Sequence, residues 1–169
     1  GWFMVSQMWL AGIFAYLLLR GLGIGRSGGV VAGVTYQLSG FLVISAVFPM
    51  IVAAVVWLPL ILLMIEFTIR QRPAFKARPA SAPWVAIGAL ALGCCVLAGH
   101  VEITYYTLLV SAYYTAARLL YILRRSRSTA SSGSSLGSGG SALNFVFLRG
   151  LAVVLLVLLG IGLGAVQLL

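Results

Sequence analysis

An all-α integral membrane bundle of about six transmembrane helices is the fold class the sequence predicts, and three observations predict it. Hydrophobic residues make up 62% of the 169 positions and charged residues only 8%. Mean hydropathy is +1.13. The apolar stretches also have the right length, since roughly 20 mostly apolar residues at about 1.5 Å each cover about 30 Å of hydrocarbon. Six such stretches fill the chain as one transmembrane domain, 1–169, with little left over for a water-facing one.

The first span is expected over 2–19, ending at Arg20, after which "GLGIGRSGG" makes a glycine-rich connection. That run follows a membrane span instead of a strand, so it is not read as a phosphate loop. The second span is expected over 28–47, before Pro49, and the third over 50–69. Pro59 lies inside the third, where it removes one backbone donor and predicts a kink. After the basic loop "RQRPAFKARPASAP" come the fourth span, 84–99, and the fifth, 103–123. A polar, glycine-rich stretch over 126–143 reads as a flexible linker, and the sixth span closes the chain over 145–169.

Charge placement orients the bundle. Arg20 and Arg26 lie in the first connection; Arg70, Arg72, Lys76 and Arg78 in the third; Arg118, Arg124, Arg125, Arg127 and Arg149 on the fifth span, in the linker or at the start of the sixth. All eleven basic residues thus fall on one face, which the positive-inside rule makes cytoplasmic. The expected location is a bacterial inner membrane, with both ends of this chain extracytoplasmic. The net charge of +9 is explained by orientation, so nucleic acid is not an expected partner. No basic n-region precedes the first apolar stretch, so no signal peptide is read there and the chain is expected to be an internal piece of a longer protein. Cys94 and Cys95 are neighbours in an apolar run and read as small buried hydrophobes.

The few polar residues within this apolar frame are the candidate site. Glu66 stands four residues before Arg70, the spacing of an ion pair along one helix. His100 and Glu102 fall at the outer turn between spans four and five. They are either a polar turn where the chain leaves the membrane or a pair facing a water-filled cavity, holding sugar hydroxyls or moving a proton. One His and one Glu fall short of the three or four ligands zinc takes, so no metal and no cofactor are expected. Tyr105, Tyr106, Tyr113, Tyr114 and Tyr121 recur at intervals of seven or eight, which puts an aromatic face on the fifth span. Thr35, Tyr36, Gln37 and Ser39 sit near mid-membrane and need partners that lipid does not supply; Gln167 is a similar case in the sixth span. Gly29/Gly33 and Gly160/Gly164 have the spacing that lets helices approach closely.

"YQLSGFLV" (36–43), "WLPLILL" (57–63), "AGHVEITYYTLL" (98–109) and "GAVQLL" (164–169) together resemble, in the same order, the YfhO-like bacterial membrane proteins related to the GT-C glycosyltransferases. The resemblance covers essentially the whole chain but only a middle portion of a family member. It implies the core of a protein that moves a sugar from a polyprenyl-phosphate carrier at the outer face. His100, Glu102, Tyr105, Tyr106, Gln37 and Gln167 would then line the groove. The catalytic acid of that superfamily lies in an earlier loop, and this sequence contains no Asp. A non-catalytic subunit of a larger membrane complex is the alternative expectation, and a transporter a third. Membrane lipids, a polyprenyl-phosphate-linked sugar and other membrane subunits are the partners these readings imply.

Overall fold

The computed structural model describes residues 1–70, 82–130 and 138–165, with side chains at all of these except 125–130, 138–143 and 145. Every regular element among them is helical: α1 (Trp2–Gly21), α2 (Arg26–Gln37), α3 (Gly40–Ile44), a 3₁₀ turn (Ser45–Val47), α4 (Pro49–Val55), α5 (Leu58–Arg70), α6 (Ala82–Leu97), α7 (Val101–Ala130) and α8 (Ser138–Gly164). These string into six helical rods, because α2 with α3, and α4 with α5, are each one rod interrupted partway.

Four rods, Trp2–Gly21, Arg26–Val47, Pro49–Arg70 and Val146–Gly164, are long and apolar enough to cross a membrane. They mark the chain as an integral membrane protein. The fourth and fifth expected spans do form helices, but neither meets that measure. α6 is apolar but has only 16 residues. α7 has 30 residues, yet its tyrosines, threonines and Arg118 dilute its apolar content. Large apolar side chains cover the outside, among them Ile44, Val47, Phe147 and Leu158, each more than 60% exposed. Lipid, not water, is the solvent that suits such a surface.

The two interruptions have identifiable causes. Pro59 has no N–H, so the carbonyl of Val55 four residues earlier loses its helical donor. The hydroxyl of Tyr36 donates to that carbonyl at 3.1 Å, from the neighbouring rod. The other break follows Leu38, where Ser39 takes extended backbone angles and caps α3, its Oγ accepting from the Leu42 N–H at 3.5 Å. Tyr36, Ser39 and Thr35, whose Oγ1 donates to the Val31 carbonyl at 2.8 Å, thus find the partners that lipid withholds.

α5 is the centre of the bundle. Half of the apolar window in its rod is buried, against 17% in the other three spanning rods. Ile61, Met64, Ile65 and Ile69 of α5 pack with Val85 and Leu92 of α6 and Val153 and Leu156 of α8. A second cluster joins Ala11 of α1, Leu42 of α3 and Val52 of α4, with Val56 just beyond. Lipid tails give helices no hydrophobic reason to associate, so close backbone approach has to hold them. A Cβ placed on Gly33 would lie 2.8 Å from the carbonyl oxygen of Gly12, so α1 and α2 touch backbone to backbone there. Gly160 plays the same part between α8 and α6, where a Cβ would meet the Leu92 side chain at 2.7 Å. Both small-residue pairs expected from the sequence are buried at helix contacts.

Within the stretch 126–143 expected as a linker, α7 continues to Ala130 and α8 begins at Ser138. Arg72, Lys76 and Arg78 of the third connection, and Gln167, lie outside the described residues.

Candidate functional site

The two ends of the bundle differ in chemistry. At one end the arginines gather. Arg70 Nη1 donates to the Gly21 carbonyl at 2.8 Å, and Arg20 Nη1 to the Ile24 carbonyl at 3.0 Å. Arg149 Nη1 donates to the Thr68 carbonyl at 2.6 Å. Arg118 meets the same end of α5 through Glu66. The turn carrying His100 and Glu102 sits at the opposite end of α7, since sixteen residues of helix separate Glu102 from Arg118, about 24 Å. Arg20, Arg70, Arg118 and Arg149 therefore gather at one end of the bundle, away from Glu102.

The expected pairing of Glu66 with Arg70 does not form. Arg70 turns outward to cap the end of α1, and Glu66 turns inward to α7. Its carboxylate is fully buried and accepts from Arg118 Nε at 2.7 Å and from Arg118 Nη2. Tyr114, one turn earlier on α7, donates its hydroxyl to Glu66 Oε2 at 2.9 Å. This fork-on-fork geometry is one that arginine makes and lysine does not. The sequence did carry a signal for it. Arg118 falls inside the expected fifth span, and a charge within a span calls for an opposite charge on a facing helix.

At the other end, Gly99 closes α6 with φ of 79°, a backbone conformation that glycine adopts without strain. His100 then opens α7. Its Nδ1 accepts from the Ile103 N–H at 3.4 Å, the bond a capping side chain makes. Its carbonyl accepts from Thr104 Oγ1 at 3.1 Å. Glu102 is exposed in the first turn of α7, where the helix dipole favours an anion. Tyr106 donates to Glu102 Oε1 at 3.5 Å, and the Tyr106 ring meets that of Tyr105 edge-on with centroids 5.8 Å apart. His100, Glu102, Tyr105 and Tyr106 therefore form one polar and aromatic patch at the end of the bundle away from the arginines.

The other candidates lie elsewhere. Gln37 sits in a groove of about 300 Å³ walled by α1 and α2, its amide against Gly12. The tyrosines of α7 do not share one face. Tyr105, Tyr106, Tyr113 and Tyr121 are more than half exposed, while Tyr114 points inward to Glu66. Intervals of seven and eight drift around a helix, and the pull of the buried carboxylate decides which tyrosine turns in. Among the described residues no three of His, Cys, Asp and Glu come together as a metal site would require. Comparison with known proteins finds no matching family model, no similar curated protein and no similar solved structure.

Proposed function

We propose that this chain is the membrane-spanning core of a glycosyltransferase-like protein of the YfhO type, handling a lipid-linked sugar at the end of the bundle opposite the arginines. The observation that carries this reading is the patch of half-buried His100 and exposed Glu102, Tyr105 and Tyr106, with Glu102 about 24 Å from Arg118 along α7. Sugars are bound by carboxylates that accept from hydroxyls and by aromatic rings that cover their apolar faces, and the patch supplies both. With the arginine end cytoplasmic in a bacterial inner membrane, the patch faces outward, where a polyprenyl-phosphate sugar is presented. The catalytic acid would come from outside this sequence.

One observation favours a second reading, a non-catalytic subunit of a larger membrane complex. The Nδ1 atom of His100 is already engaged as a helix cap, so the polar turn has a structural use of its own. Two measurements separate the readings. With Cys94 and Cys95 replaced, a cysteine at Val101 reacts with an impermeant thiol reagent on intact cells if the patch faces outward. The full-length protein in liposomes then transfers sugar from a polyprenyl-phosphate donor, and Glu102→Ala with Tyr106→Ala raises KM for that donor. Labelling only after cell lysis, or a folded protein with no transfer from any donor, removes the first reading.

A further inference from the structure

The bond from the Ile103 N–H to His100 Nδ1, 3.4 Å long, fixes the protonation state of the ring. A ring nitrogen accepts only while it carries no proton, so the imidazole is neutral with its hydrogen on Nε2. Adding a proton puts a second N–H at Nδ1, facing the N–H of Ile103. The acceptor is lost and two donors are left opposed. α7 starts at Val101, so His100 is its N-cap and Ile103 its third residue, whose N–H is one of those a helix leaves open at its start. The partial positive charge of that helix end opposes an imidazolium as well.

Few other groups near the turn respond to acid. Of the helices packed against α7, α4 has no titratable side chain and α6 has only Cys94 and Cys95. Among the described side chains of α5 and α8, the ionisable ones are Glu66, Arg70 and Arg149, all at the arginine end. On α7, Glu102, Tyr105 and Tyr106 occupy the first two turns beside His100. Acid leaves thiols and phenols neutral, so the imidazole and the Glu102 carboxylate are the groups here that gain a proton. Glu102 favours an imidazolium as a neighbouring anion, but positions two apart do not share a helix face, and its Oε1 accepts from Tyr106 instead. The His100 carbonyl accepts from the Thr104 N–H and Oγ1, both at 3.1 Å, whatever the ring carries. Opening is therefore confined to the first turn.

We propose that His100 is a pH-sensitive latch on the turn between α6 and α7. The neutral ring closes the first turn of α7, and protonation in mild acid, in the range from about pH 8 to about pH 5 where histidine ordinarily titrates, releases it. Because Nδ1 accepts only in the neutral form, the stabilisation is present at high pH and lost as pH falls. Loss of an N-cap acceptor shifts the opening of the first turn by roughly twofold to thirtyfold. Glu102, Tyr105 and Tyr106 ride on that turn and the next, so the acid form presents a looser patch. The latch depends on the cap alone and operates whatever the patch binds.

The test uses the full chain in uncharged detergent at about pH 8 and about pH 5. His100 is the only histidine, so isotope-labelled histidine gives the ring signals of one imidazole. At the higher pH they are expected to report a proton on Nε2 and none on Nδ1. Hydrogen exchange of the Ile103 amide, resolved by fragmentation in the mass spectrometer and corrected for the intrinsic effect of pH, is expected to quicken by roughly twofold to thirtyfold at the lower pH. His100→Asn caps without titrating and keeps Glu102, so it should show slow exchange at both values. His100→Ala should exchange fast at both. A proton on Nδ1 at the higher pH overturns the proposal. So does exchange in the parent that ignores pH, or an acid response in His100→Asn as large as the parent's.

Discussion

Removing Arg118 should damage this protein far more than removing its partner, and the structure gives the size of the difference. Arg118→Ala leaves the Glu66 carboxylate fully buried, with only the Tyr114 hydroxyl to hold it. Stranding a buried charge costs about 3–5 kcal/mol, and the partial exposure of Arg118 puts this pair at the lower end. For a chain of this length, about 3 kcal/mol corresponds to a fall in Tm of roughly 6–12 °C. Glu66→Gln strands nothing comparable, because a guanidinium with 31% of its side chain exposed can shift to water or to lipid headgroups. Its cost should stay near 1 kcal/mol, about 2–4 °C. The double variant Glu66→Gln/Arg118→Ala should therefore be more stable than Arg118→Ala alone. With the partly exposed Cys94 replaced by serine, the fully buried Cys95 is a built-in reporter: a thiol-reactive dye reaches it only as the bundle opens, so melting curves can be read in detergent. If Arg118→Ala melts within 2 °C of the parent, or the double variant is no better than the single one, the ion pair is not what holds α7 to α5.

Three further outcomes follow from the same geometry. Tyr36→Phe strands the Val55 carbonyl and should cost about 1–3 kcal/mol. In a Pro59→Ala background, which restores the N–H of residue 59, the same change should be nearly silent, and a double-mutant cycle of melting temperatures reads the difference. Gly33→Val drives a side chain into the backbone of α1 and should cost at least about 1–3 kcal/mol, whereas Gly162→Ala should gain roughly 0.5–1 kcal/mol; both are read by the same thermal assay. His100→Ala removes the acceptor for the Ile103 N–H and should cost about 0.5–2 kcal/mol, with His100→Asn recovering most of it. Hydrogen exchange of the first turn of α7 should quicken in the alanine variant and return in the asparagine one.

The helices and their ends were legible in the sequence wherever apolar length, glycine or proline decides the matter. Pro59 announced an orphaned carbonyl, and "TYQLSG" announced polar side chains in need of partners. Neither segment named the other, because the bond between Tyr36 and Val55 spans nineteen positions and depends on how two rods pack. The pairing of Glu66 was misread for a related reason. Spacing of four along one helix is visible in a sequence, but a facing arginine 52 positions away is not. Burial reverses the preference. At an exposed helix end a local pair is worth a few tenths of a kcal/mol, and in lipid a carboxylate needs a bidentate donor and a hydroxyl together.

The same physics ties the two ends of the bundle together. A chain whose spans carry so few polar groups can hold a charge inside only where several helices converge, and α5 is the element they converge on. Glu66, the Thr68 carbonyl and Arg70 lie within five residues at its end, and they fasten α7, α8 and α1 in turn. Fixing α7 at Arg118 fixes the far end of a stiff helix as well, so the turn with His100 and Glu102 is positioned from about 24 Å away. Among the described residues, the patch makes side-chain hydrogen bonds only within 95–106, apart from its place at the head of α7. Its orientation relative to the rest of the bundle is shared between the ion pair at the opposite end and the first half of α7, where Thr104, Thr107 and Ser111 are buried. On the proposed function, Arg118→Ala and Glu66→Gln both break the ion pair and should both raise KM for the donor at a patch they do not touch, Arg118→Ala the more because it also strands the buried carboxylate. An unchanged KM in both variants would mean that the buried first half of α7 and the turn at Gly99 set the position of the patch.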